Sequence, residues 1–168
     1  GTPLADARSL FEGQESDVGI WPWVSIRPEG TVRLAYRSET FFTSEVWLID
    51  ERGKTTQLPL QKSASLRGIF KGQTLVVLRK PWTVNGKTYP QGTLISTPLT
   101  DLASGKVGPI EVLYTPSAQS SIQGVSLSRD EVYVSILDTV RGRLIRYRYA
   151  AEQNRWSKSP VDLPQTGT

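Results

Sequence analysis

The run Arg143-Leu144-Ile145-Arg146-Tyr147-Arg148-Tyr149 interleaves guanidinium groups with phenol rings. Such a run can stack nucleic-acid bases on its rings and neutralise phosphates with its arginines. It also reads as a strand, with Ile145, Tyr147 and Tyr149 on one face and Arg146 and Arg148 on the other. No RNA-binding signature accompanies it, so the strand reading is favoured. The indoles of Trp21, Trp23, Trp47, Trp82 and Trp156 can act as sugar-stacking platforms or as core anchors, and packing between sheets is the favoured role. Asp50, Glu51, Asp101, Asp130, Asp138 and Glu152 are scattered carboxylates. Their spacing matches no calcium loop. Two carboxylates alone can hydrolyse a glycosidic bond, but only when they face each other about 5 to 10 Å apart, which the spacing does not impose.

Two absences remove more chemistry than these residues supply. The 168 residues contain no Cys and no His. Disulfides, thiolate nucleophiles and Cys-based metal sites are excluded, as are a His general base, a His metal ligand and a Ser-His-Asp triad within this chain. No catalytic residue, cofactor-binding residue or metal ligand is therefore assigned. Twenty basic residues stand against 16 acidic ones, a net charge of +4. The basic residues are dispersed, whereas nucleic-acid binders concentrate them on one face, so no nucleic-acid partner is expected. No apolar run is long enough to cross a membrane, and no signal-peptide pattern opens the chain, so the expectation is a soluble protein without a membrane partner.

The elements that position these side chains read as strands. Val, Ile, Thr, Trp and Tyr recur in short runs separated by Gly, Pro, Asn and Asp. Val32-Arg33-Leu34-Ala35-Tyr36-Arg37 and Glu131-Val132-Tyr133-Val134-Ser135-Ile136 alternate with a period of two, the mark of one buried face. Leu75 to Leu78 and Trp21 to Ile26 are apolar throughout and predict strands covered on both faces. Asn85-Gly86 predicts a type I′ turn and a small protruding hairpin, read as a surface ornament. Leu4 to Glu12 has helical spacing after Pro3 and is either a short helix or an arm. A turn is expected at Leu99 to Ala103, closed by Gly105.

The runs group in fours, over 18–60, 66–115 and 122–161, after an N-terminal arm at 1–17. Related patterns fill the third strand of each group: Glu45-Val46-Trp47-Leu48-Ile49-Asp50, Gly92-Thr93-Leu94-Ile95-Ser96-Thr97 and Gly142-Arg143-Leu144-Ile145-Arg146-Tyr147. Four antiparallel strands per repeat, at a period of about 50 residues, describe β-propeller blades. The fold class expected is all-β, a partial β-propeller of about three four-stranded antiparallel blades forming a single domain over 1–168. A sandwich or barrel of about twelve unrepeated strands is the alternative.

Three stretches carry a family resemblance. Gly1-Thr2-Pro3-Leu4-Ala5-Asp6-Ala7, continuing to Phe11-Glu12-Gly13 and Asp17-Val18, is one. Leu78-Arg79-Lys80-Pro81-Trp82 with Gly86, Tyr89, Gly92, Thr93 and Leu94 is the second. Val112-Leu113-Tyr114-Thr115-Pro116 with Ser126-Leu127-Ser128-Arg129-Asp130 is the third. In this order and spacing they resemble the propeller of prolyl oligopeptidase family serine peptidases, in which a seven-bladed propeller caps an α/β-hydrolase domain. The resemblance implies about three consecutive blades of such a propeller, with the hydrolase domain of a parent chain and a peptide substrate as partners. It implies a parent that cleaves peptides after proline or a related small set of residues, in the cytoplasm or periplasm, while its blades restrict access to the active site. The family's Gly-x-Ser-x-Gly elbow and its catalytic His are both missing from this sequence.

Two further expectations follow. A stand-alone module binding glycan or protein is the alternative function, and it requires an exposed aromatic cluster. The end faces of the first and third groups are expected to be apolar, which would pair two copies of the chain as a homodimer. The purified chain is expected to show no turnover of a prolyl chromogenic peptide, because the covalent route is missing. Turnover that survives repurification and is abolished by a serine-directed inhibitor would contradict this.

Overall fold

The computed structural model describes residues 3–162. Fourteen strands alternate with tight turns. The first sheet is built from β1 (Gly19–Arg27), β2 (Gly30–Ser38), β3 (Ser44–Ile49) and β4 (Thr55–Gln57), in that spatial order. The second contains β5 (Ser65–Phe70), β6 (Gln73–Val77), β9 (Leu94–Pro98) and β10 (Glu111–Tyr114). Between β6 and β9 the chain makes a separate hairpin of β7 (Trp82–Val84) and β8 (Lys87–Tyr89). The third sheet is β11 (Ser120–Leu127), β12 (Val132–Asp138), β13 (Arg141–Ala150) and β14 (Arg155–Val161). All pairings are antiparallel between sequence neighbours within a sheet. The expected partial propeller is therefore present, and the sandwich and barrel are not.

The sheets stack face to face in sequence order, and the second one is the middle layer. One of its faces presents Phe70, Leu75, Val77 and Leu94 to Val132, Val134, Ile136, Tyr147, Tyr149 and Trp156 of the third sheet. Leu66 on its other face, with Leu99, Leu102 and Val107, meets Trp23, Val32, Leu34, Tyr36, Val46 and Leu48 of the first. Every residue of β6 is buried, as an apolar run covered on both faces requires.

The second and third sheets approach closely at one edge. β5 and β11, the first strands of their sheets, run in contact. A Cβ at Gly68 would sit 2.9 Å from Leu127 Cδ2, and Gly68 has φ +153°, which side-chain-bearing residues rarely adopt. Large rings fill the space between the second and third sheets. Trp156 stacks on Phe70 at 5.8 Å between centroids and lies 5.0 Å from Tyr149.

Two expectations need correction. Trp21 to Ile26 is not covered on both faces: Trp21 is 59% exposed and Ile26 81%. The cause is position, because β1 is the edge strand of the first sheet and no sheet lies on its far face. The hairpin has the expected turn, with φ of +51° at Asn85 and +73° at Gly86, but it is no ornament. Tyr89, Trp82 and Val84 pack on Val76, Leu78 and Ile95, and Asn85 Nδ2 donates to the Val107 carbonyl at 3.0 Å, so the hairpin lies along the second sheet. Of the two readings of Leu4 to Glu12, the arm is the one observed, with a single 3₁₀ turn at Leu4–Asp6, and the turn expected at Leu99–Ala103 is one turn of α-helix, α1. The free face of the third sheet is mixed: Tyr133, Ser135, Arg146, Arg148, Ser157 and Ser159 share it with Leu137, Leu144 and Val161.

Substituting Gly68→Ala should destabilise the chain by about 1–3 kcal/mol, from backbone strain and the clash with Leu127. Urea denaturation measures it, and an unchanged midpoint would show that this edge is not closely packed.

Candidate functional site

A stacked arc offers three places where chemistry can happen: the edge where its first strands converge, its free faces and its two ends. On the converging edge each first strand has one unpaired side. Such edges invite pairing with another strand unless they are blunted. All three are. β1 carries Pro22, which has no N–H to donate. β5 has a bulge that leaves Arg67 unpaired between Leu66 and Gly68, and β11 has the same irregularity at Gln123 between Ile122 and Gly124. Arg67 and Gln123 are exposed. Leu66-Arg67-Gly68 and Ile122-Gln123-Gly124 are thus one repeated device, which sequence reading passed over because its only signal is a glycine inside a strand.

The free face of the first sheet holds a chain of alternating charge. Arg37 Nε donates to Asp17 Oδ2 at 2.8 Å and its Nη1 to Glu45 Oε2 at 3.2 Å. Lys62 Nζ reaches Glu45 Oε1 at 2.9 Å and Glu39 at 2.8 Å. The arm closes over this face: Phe11 sits 5.4 Å from Trp47, and residues 9–14 with Arg37, Trp47 and Thr55 enclose a cleft of about 470 Å³. The hydrogen bond from Arg37 holds the Asp17 carboxyl below its usual range, and that from Lys62 does the same for Glu45. On the third sheet, Glu131 is held low by hydrogen bonds from Tyr133 and Arg148. A general acid for glycoside hydrolysis needs a raised pKa, and these carboxyls are all shifted the other way.

The rings of the 143–149 run and Trp156 are core side chains. Tyr147 and Tyr149 are buried between the second and third sheets, with Tyr147 OH donating to the Leu113 carbonyl at 2.8 Å. Burial pushes the Tyr147 phenol up to about 12. Gln73 Nε2 donates to Tyr149 OH at 2.9 Å, Ser96 Oγ to Gln73 Oε1 at 2.8 Å, and Trp156 Nε1 to Ser96 Oγ at 3.1 Å. Arg146 and Arg148 turn to the opposite face and converge on Glu131. Neither base stacking nor sugar stacking is open to the buried rings. Among the described residues no group of three or more Asp or Glu could hold a metal ion, and no helix is long and apolar enough to cross a membrane.

The two ends differ. At one, Arg27 Nη2 bonds the Ser128 carbonyl across from the first sheet to the third, the guanidinium lies 5.3 Å over Phe70, and Lys71 N donates to Glu29 Oε1 at 2.8 Å. At the other, Phe41 and Phe42 are 84% and 78% exposed, two adjacent rings that sequence reading missed although Thr40-Phe41-Phe42-Thr43 sits in a connection between strands.

The comparisons with known proteins agree with this architecture. No family model matches the chain. An uncharacterized peptidase of Sinorhizobium fredii, y4nA, is 27% identical over 176 residues, covering all of this chain and 24% of that protein. A post-proline cleaving enzyme from Rickettsia typhi superposes with a TM-score of 0.87 at 20% identity, over 98% of this chain and 25% of the enzyme. In fold, the chain matches a segment of the post-proline cleaving enzyme. It spans about a quarter of the length of each of these proteins.

The charge chain makes the arm acid-labile. Asp17 and Glu45 have depressed pKa values in the folded state, so their contribution is complete above the usual carboxylate range and is lost as pH falls through the depressed values. Acidification below about pH 4 should release residues 9–17 from Trp47 before the sheets unfold. Trp47 emission and protease cutting in the arm report it, and a single transition shared by the arm and the sheets would contradict it.

Proposed function

We propose that this chain is the non-catalytic propeller portion of a prolyl oligopeptidase-like serine peptidase, and that its blades restrict which substrates reach a separate α/β-hydrolase domain of the same polypeptide. The domain so proposed is a single partial propeller over 1–168, with blades at 18–60, 66–115 and 122–161. The observation that carries the reading is the stack itself, three blades in sequence order whose converging edges are all blunted. A wall of this kind excludes strands rather than pairing with them, which suits a barrier to extended or folded chains. The identity to a peptidase and the propeller match to a post-proline cleaving enzyme support the family. The missing His and nucleophile elbow support a role without chemistry of its own.

Steric restriction has a kinetic signature. In the longer polypeptide carrying this segment, a short prolyl peptide should be hydrolysed at least tenfold faster than an equally proline-rich folded protein. A variant with a protease site opened in the 139–140 turn should narrow that ratio after nicking. Equal rates on both substrates before nicking would remove the proposed role.

A further inference from the structure

Asn85 and Asn154 are the two asparagines of the sequence, and an asparagine amide can be lost to water without any enzyme. Both are exposed, and both hold the left-handed backbone conformation, with φ of +51° and +48°. The loss begins when the backbone nitrogen of the following residue attacks the asparagine Cγ, and the two sites differ in that nitrogen. Arg155 follows Asn154, opens β14 and is paired with Ala150 in the ladder. Gly86 follows Asn85, lies in the turn outside the β7–β8 ladder and has no side chain to hinder the approach. A Cβ built on Gly86 would meet nothing within 4 Å, so water has access to the turn.

The Asn85 amide is also the polar tie between the tip of the hairpin and the body of the chain. Its Nδ2 donates to the Val107 carbonyl at 3.0 Å, in the segment that follows α1. Otherwise the hairpin is held by three residue pairs and by the packing of Trp82, Val84 and Tyr89 on Val76, Leu78 and Ile95. A two-stranded hairpin is marginal without such packing, so this one opens locally more readily than the four-stranded sheets.

The structure assigns Asn85 as a site of spontaneous deamidation whose product unfastens the β7–β8 hairpin from the second sheet. Gly86 N bonds to Asn85 Cγ and gives up its proton. The Cγ–Nδ2 bond breaks, and the nitrogen leaves as ammonia. Water then opens the cyclic imide at either of its carbonyls, which yields aspartate or isoaspartate. One water is consumed, one ammonia is released, and nothing is oxidised or reduced. Both products remove the donor. A carboxylate at neutral pH only accepts, and it would face the Val107 carbonyl, which is another acceptor. Isoaspartate also adds a backbone atom to a turn whose geometry fits two ordinary residues. Unfastening uncovers Val76, Leu78 and Ile95, all fully buried in the folded chain.

Ageing the 168-residue chain in mildly alkaline buffer tests both parts. Brief trypsin digestion at mildly acidic pH excises 80–87 and 149–155, the peptides that hold Asn85 and Asn154. The Asn85 peptide should take on the mass of the acid and split into aspartate and isoaspartate forms, at least about tenfold faster than the Asn154 peptide, because only glycine leaves the attacking nitrogen unhindered. Conversion at Asn85 no faster than at Asn154 overturns the site. Asn85→Gly, which suits the same turn, should leave nothing to convert in 80–87. The converted chain carries an added negative charge and separates by ion exchange. Its amides at 82–89 should exchange with solvent at least about tenfold faster than those of the unaged chain, while β12 stays unchanged as a control on folding. Asn85→Asp, made directly, should loosen the same amides without ageing. Unchanged exchange at 82–89 in the converted chain overturns the unfastening.

Discussion

Burial of the second sheet on both faces is the constraint on which the rest depends. A single antiparallel sheet buries one face and wets the other. β6 and β9 have no wet face: Leu75, Val76, Leu94 and Ile95 are all fully buried. Removing either neighbouring sheet would expose an apolar layer, so the three sheets are one folding unit rather than three that happen to touch. Even the hydroxyls of Thr74, Thr93 and Thr97 lie inside this layer without a protein partner.

The composition follows the spacing of the stack. Glycine stands at the close edge, where Gly68 meets Leu127. Between the second and third sheets stand Tyr147, Tyr149 and Trp156, and their polar atoms are bonded across to Leu113, Gln73 and Ser96. Buried polar atoms need such partners, and satisfying them fixes the angle at which the sheets meet. The space between the first and second sheets is filled by the β7–β8 hairpin, α1 and the link through Leu60 instead.

How much of this was legible depends on the range of each cause. The alternation in Val132 to Ile136 and the Asn85-Gly86 turn are local, and local physics places them. The parity of Tyr147 and Arg148 was readable for the same reason. What covers a face is not local. Trp21 to Ile26 and Leu75 to Leu78 look alike in sequence, and only the second has a sheet on each side. Asp17, Arg37, Glu45 and Lys62 meet from four separate segments, so no spacing announces their charge chain. The bulges at Arg67 and Gln123 were in view as residue types, but their meaning comes from the edge on which they lie.

The account stands on the middle sheet. Native-state hydrogen exchange resolved by residue addresses it most directly, since exchange through global unfolding marks the elements that open last. The stack predicts that amides of β6 and β9 are the slowest in the chain and share one opening free energy with β12, while those of β1 and β14 exchange faster. Slowest exchange in the first or third sheet, with β6 and β9 opening independently and earlier, would contradict it.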